Sequence, residues 1–169
     1  MRPEKTVCDT GPILHLHEAS ALDLLLLVGA VWVPSGVDRE LTRLVGDWPT
    51  HRPRQLQVVE LEARAAEQAA QWAAAGLLHA AESEALALAL QWKADWYLTD
   101  DTAARELARS LGVEAHGSLG VVLWAAAHGH LNRQQSAARL EALFSSSLWV
   151  SSSVRDEARE VLKQIHSAS

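Results

Sequence analysis

One cysteine in 169 residues, Cys8, is too few for an internal disulfide framework or a cysteine-based zinc site. Its place inside the first apolar run marks it as a small buried hydrophobe. No hydrophobic run is long enough to span a bilayer. The run at Leu24 to Val28 falls far short of the roughly 20 residues required. No stretch reads as a signal peptide. The expectation is a soluble, cytoplasmic protein with no membrane partner. Positive charge is also scarce: 15 Lys and Arg against 21 Asp and Glu leave a formal net charge of −6. That balance argues against a generic nucleic-acid coat protein, which should be basic. It does not argue against a nuclease, whose acidic cluster would itself add negative charge. Aromatics are few apart from seven Trp. Internal repeats, low-complexity tracts and obvious linkers are missing.

What is present is a chain that is 49% apolar and rich in alanine and leucine. Such a chain buries a real core as one helix-rich domain. Short apolar runs at 5–8, Val31 to Val33, Gln55 to Leu61, Trp96 to Leu98 and Val113 to Ala115 read as strands. Between them lie helical stretches at 12–19, 21–28, 35–45, 62–75, 80–93 and 102–111. Further helices are expected at 119–128, 134–144 and from the serines at 151–153 to about Ile165. Val37, Leu41 and Leu44 share a face of one helix, and Ala85, Leu88 and Trp92 a face of another. Residues 46–54, GDWPTHRPR, are turn-rich and are expected to form a mobile loop. Alternating strands and helices imply an α/β domain, three layers deep (α/β/α), around a central, mainly parallel twisted sheet.

Four acidic motifs carry the chemistry: Asp9 in TVCDTGP, Glu40 in VPSGVDREL, Glu82 in HAAESEALALA, and Asp100-Asp101 in WYLTDDTAAR. Asp9 and Asp100 directly follow apolar runs, so they stand at the carboxyl ends of strands, where open parallel sheets bind ligands. An unpaired carboxylate at such a place costs free energy, which a shared cation would offset. Hard divalent ions take oxygen ligands of this kind, together with waters and phosphate oxygens. The pattern points to phosphoryl-transfer chemistry.

Each acid also has a plainer reading. Asp9 suits an N-cap or Asx turn. Glu40 is placed to pair with Arg43 on a helix surface. Glu82 and Glu84 sit in a helix's first turn, where the macrodipole favours acids. Glu82 aligns with the apolar Ala85, Leu86 and Ala89. Asp100 is the expected ligand, with Asp101 or Thr102 capping the next helix and Asp101 as a supporting or alternative ligand. Ser118 either bonds an acid or water of the site or caps the helix that follows. The pairs His15/His17 and His128/His130 do not share a helix face and do not make a zinc site. Arg39 and Arg43, Arg52 and Arg54, and Arg105 with Arg109 form local basic groups that could touch phosphates. Trp48, beside Arg52 and Arg54, is the one tryptophan expected to stack on bases.

In their order and spacing the motifs resemble a PIN domain, the fold of the VapC-type toxin ribonucleases, from residue 5 to about 150. The closest resemblance is to the branch with a Gly-Glu-x-Glu-Ala third motif, an Asp-Asp-x-x-Ala-Arg fourth motif and a Gly-Thr-Leu-Gly segment. Here these read Ala81-Glu82-Ser83-Glu84-Ala85, Asp100-Asp101-Thr102-Ala103-Ala104-Arg105 and Gly117-Ser118-Leu119-Gly120. The departures are Ala81 for glycine, Ser118 for threonine, and Thr10 where serine often follows the first acid.

The resemblance implies a nuclease domain over 1–150, with 151–169 a C-terminal helix packed on the domain or on a partner. It implies a metal-dependent endoribonuclease cutting single-stranded RNA. Asp9, Glu40, Glu82 and Asp100 would hold Mg²⁺ or Mn²⁺, with Asp101 beside them and Thr10 and Ser118 in support. A small antitoxin partner and a homodimer are implied as well. The alternative is a non-catalytic interaction module of the same fold, since fold alone does not give function. Phosphatase-like chemistry at Asp9 would need an acid two residues on, where Gly11 stands.

Overall fold

The computed structural model describes residues 2–168. Five strands, β1 (Lys5–Cys8), β2 (Ala30–Pro34), β3 (Leu56–Val59), β4 (Trp96–Leu98) and β5 (Ala115–His116), form one sheet in the order β3-β2-β1-β4-β5. All four pairings are parallel, because every connection carries at least one helical segment back across the sheet. β1 is central, with Val7 paired to Trp32 on one side and Tyr97 on the other. Thr6, Val7 and Cys8 are accordingly all buried. Thr6 keeps its hydroxyl satisfied by donating to the Val28 carbonyl at 2.6 Å.

The helices are α1 (Thr10–Glu18), α2 (Ser35–Leu44), α3 (Trp48–His51), α4 (Ala63–Ala74), α5 (Ala80–Gln91), α6 (Thr102–Ser110), α7 (Ser118–Ala127), α8 (Arg133–Phe144) and α9 (Ser152–Ser167). α5 packs on β1, β2 and β4, flanked by α4 and α6. Ser83 and Ala85 to Ala89 are all buried, so this helix is enclosed nearly all round rather than along one stripe. α1, α7, α8 and α9 pack together as a second group, with α7 against β5. The result is the expected three-layer α/β/α arrangement. α9 buries Ala158 and Leu162 against this layer. Among the described residues no helix is long and apolar enough to cross a membrane.

Three segments differ from expectation. Residues 22–27 form a short 3₁₀ helix, Leu22–Leu27, rather than an α-helix. The short span between the end of α1 at Glu18 and Gly29 suits i→i+3 bonds, which are used in short pieces. Gly29 has φ +85°, and a Cβ there would lie 2.3 Å from the Pro3 carbonyl oxygen, so only glycine closes this turn. Val113 belongs to the cap of α6 and not to β5, because its amide donates back to Ala108 and Gly112 takes φ +77°. Pairing with β4 starts one residue later, where Tyr97 donates to the Glu114 carbonyl.

The third difference concerns residues 46–54. The expected mobile loop contains α3, and Trp48 is 0% exposed. Its indole N–H donates to the Asp38 carboxylate at 2.9 Å, and Arg52 pairs with the same oxygen at 2.9 Å. Trp48 therefore anchors this segment to α2 and presents no ring to a nucleobase, which corrects the expectation of base stacking. Trp48→Ala should cost about 3–5 kcal/mol, the usual loss for emptying a large core site. Urea denaturation checks this, and a change within about 0.5 kcal/mol, typical of surface positions, would contradict it.

Candidate active site

Parallel pairing of β1 and β4 brings two chain ends to one edge of the sheet. The Asp9 amide donates to the Leu98 carbonyl at 2.9 Å, tying the first residue after β1 to the last residue of β4. Asp9 is then the N-cap of α1, its Oδ1 accepting from the Thr10 amide at 2.7 Å. Its Oδ2 accepts from the Thr99 hydroxyl at 3.0 Å. The capping alternative and the site reading describe the same geometry. The side chain is 3% exposed, yet it lines an open groove of about 750 Å³.

Glu40, Glu82, Asp100 and Asp101 line that groove too. Glu40 comes from α2 and is held by the Thr10 hydroxyl, which donates to its Oε2. Glu82 comes from the first turn of α5 and accepts from the His79 amide at 2.9 Å, closing a capping box. Glu84 turns the other way. It accepts from the Gly36 amide at 2.9 Å and pairs with Arg39 at 3.7 Å, tying α5 to the start of α2. Of the two glutamates of the third motif, Glu82 is the one in the groove.

Asp100 is the most heavily braced of the acids. Its Oδ1 accepts from the Ser118 amide at 2.7 Å, at the N-terminus of α7. The Ser118 hydroxyl reaches both carboxylate oxygens, at 3.0 and 2.9 Å. Gly117 makes this approach possible, since a Cβ there would lie 2.7 Å from Oδ1. Asp101 caps α6 through a 2.7 Å bond from the Ala104 amide. The structure adds one residue that the motifs did not indicate: His15 Nδ1 lies 2.7 Å from Asp100 Oδ2. His15 follows Gly11 by one helical turn on the face of α1 turned towards Asp100. The only sequence signal was that i,i+4 relation, and the partner lies 85 positions away.

Electrostatics separates the acids. Burial pushes the Asp9 carboxyl from 3.8 up to about 7, aided by the charges of Glu82 and Glu40 and opposed by the bonds from Thr10 and Thr99. Glu82 is also raised, first by burial and then by Asp101 and Glu40, against the His79 amide bond. Burial raises the Cys8 thiol well above its ordinary value, so it stays protonated and inert.

Of the arginines expected to touch RNA, only Arg105 lines the groove, near the Thr99 carbonyl at 3.4 Å. Arg39 and Arg43 line a neighbouring depression of about 550 Å³ that shares Glu40 and His79 with the groove. Arg52 is committed to Asp38. Arg54 is exposed beside β3.

The donor set suits a hard, oxygen-seeking divalent cation held by one or two carboxylates, with waters and phosphate oxygens completing the shell. It does not suit a dry cage. Among the described residues no three His, Cys, Asp or Glu side chains stand together as a ready-made metal site.

These features define a class: a three-layer α/β/α protein with an acid-lined groove at the carboxyl ends of neighbouring parallel strands. A family model described as a PIN domain matches residues 5–164, and the chain belongs to that family. The match runs past residue 150 into α9. No curated protein matches the chain. PIN domains are generally nucleases.

A raised Asp9 gives a signed pH dependence. Between pH 3.8 and about 7 the unfolded chain releases a proton that folded Asp9 retains. Stability conferred by this group is therefore lost as pH rises through that window, then levels off. At about 1.4 kcal/mol per unit the loss amounts to a few kcal/mol. In metal-free buffer Asp9→Asn should melt above wild type at pH 8, with the gap closing near pH 4. A gap that is constant with pH would show that Asp9 titrates normally.

Proposed function

We propose that the protein is a metal-dependent endoribonuclease that hydrolyses phosphodiester bonds of single-stranded RNA. One observation carries this reading: Asp9, Glu40, Glu82 and Asp100, drawn from four separate segments, line one open groove, and Asp9 there lacks a cationic partner strong enough to keep its carboxyl acidic. Asp9 and Asp100 are the residues that would hold Mg²⁺ or Mn²⁺, with Glu40, Glu82 and Asp101 lining the same groove. When bound, such an ion lowers the pKa of a water and offsets charge on the scissile phosphate.

The chain's own contribution is positioning. Thr10 and Thr99 fix the two oxygens of Asp9, and Thr10 also orients Glu40. Ser118 and His15 hold Asp100 from two sides, leaving it little freedom to turn away. Bracing of this kind keeps charged groups where the reaction needs them without reorganisation. Arg105, on the same wall, is placed for a phosphate oxygen, which its fork of N–H donors fits. An open groove continuing towards Arg39 and Arg43 suits an extended single strand better than a small substrate.

The proposal includes the toxin role, with a small antitoxin and a homodimer, supported by the likeness of the motifs to those of VapC-type ribonucleases. Acids exposed in a groove also offer a counter-charge to an arginine from an inhibitor.

Purified protein should cleave single-stranded RNA with Mg²⁺ or Mn²⁺ and stop with EDTA. Asp9→Asn should reduce the rate by about 10²-fold or more, the scale for losing one preorganised charge-stabilising group, while its circular dichroism stays unchanged. Cleavage that survives thorough chelation, or Asp9→Asn cutting like wild type, would contradict the mechanism. A folded protein that binds a partner but cuts no RNA with either ion would favour the interaction module.

A further inference from the structure

The groove carries too little positive charge to hold RNA by its phosphates alone. Five carboxylates, Asp9, Glu40, Glu82, Asp100 and Asp101, face a single guanidinium, Arg105, along its lining. Single-strand binding proteins draw on two sources, a basic track and aromatic platforms for the bases. With the first so sparse, the second must contribute.

Trp149 is 85% exposed and lies on the groove wall. A lone exposed apolar side chain needs no special reason, but this one is displayed by a pinned support. On one side the Ser147 amide and hydroxyl both bond the Glu18 carboxylate at 2.7 Å. On the other, Arg155 Nε donates to the Val150 carbonyl at 3.2 Å. Leu148 and Val150, the immediate neighbours, pack against the core. The backbone is thus held before and after Trp149, and the indole is turned outward between two inward side chains. Such a platform costs little ordering entropy when a flat ligand covers it.

We infer that Trp149 is a base-stacking subsite for single-stranded RNA, seating a nucleobase beside the acid cluster and setting where along the strand the cut falls. This inference rests on the ribonuclease reading. It moves the stacking role expected of Trp48 to the tryptophan that is free to perform it.

The test uses the full chain and labelled single-stranded RNA oligonucleotides. In the non-cleaving Asp9→Asn background, Trp149→Ala should weaken binding about 5- to 100-fold, the range for losing one base stack, and Trp149→Phe should retain most of the affinity. In the active protein Trp149→Ala should raise KM by a similar factor with kcat nearly unchanged. Oligonucleotides abasic at successive positions should reveal one position where removing the base weakens the Trp149 protein and not Trp149→Ala. Equal binding and KM for Trp149→Ala, or a loss of binding indifferent to every abasic position, would overturn the subsite. So would a Trp149 effect seen only on binding a protein partner. An oligonucleotide bound through Trp149 but left uncut with either Mg²⁺ or Mn²⁺ would sink the ribonuclease reading and leave the subsite standing.

Discussion

The backbone bond from the Asp9 amide to the Leu98 carbonyl is the contact on which the site depends. It closes the parallel ladder of β1 and β4 where Cys8 pairs with Leu98, the last residue of each strand, so the chain leaves both strands at the same level. Asp9 and Asp100 must then emerge side by side at the sheet edge. The first residue after each strand is polar and buried: Asp9 after β1, Thr99 after β4, and they bond each other at 3.0 Å. α1 starts from the Asp9 cap, α6 from the Asp101 cap, and the Thr10 hydroxyl reaches across to Glu40. The β1–β4 register thus sets Asp9 and Asp100, and the Thr10 hydroxyl ties Glu40 of α2 to the same groove, which Glu82 of α5 also lines.

The two central acids are treated differently by their surroundings. Asp100 has the N-terminus of α7, two bonds from the Ser118 hydroxyl, and His15. Asp9 has an amide and a hydroxyl, and feels the charges of Glu82 and Glu40. Neutral donors do not fully offset burial of a carboxylate, so the folded chain holds Asp9 in an unfavourable environment. Natural proteins accept such local costs where function needs them. Burial, reinforced by the charges of Glu82 and Glu40, is what raises its carboxyl.

Most of the architecture was legible because local and tertiary signals agree. Apolar runs of three to five residues ended by Asp9, Pro34 or Thr99 could only be buried parallel strands between helices. Asp9 and Asp100 were legible for the same reason, since a strand end is a place as well as a sequence position, whereas Glu40 and Glu82, on helices, were marked only by their motifs. Trp48 was not. GDWPTHRPR carries the residues of a loop, and only the Asp38 carboxylate, ten positions away, draws its indole and Arg52 inward. His15 was hidden because its partner is distant in sequence, and Trp149 because the support that displays it includes Glu18 from the other end of the chain. Leu44, counted on the apolar face of α2, is 56% exposed at the groove mouth, because the inward face ends with Leu41.

On the metal-site proposal, Asp9 stays protonated until a cation takes the place of its proton. Calorimetric titration of Mn²⁺ into the protein, in buffers of different ionisation heats, measures this directly, since metal binding to a protonated ligand releases a proton. At pH 6, below the Asp9 value of about 7, binding should release close to one proton. At pH 8.5 it should release almost none, and Asp9→Asn should show neither the proton nor tight binding. Mn²⁺ binding that is indifferent to pH and unaffected by Asp9→Asn would contradict the account.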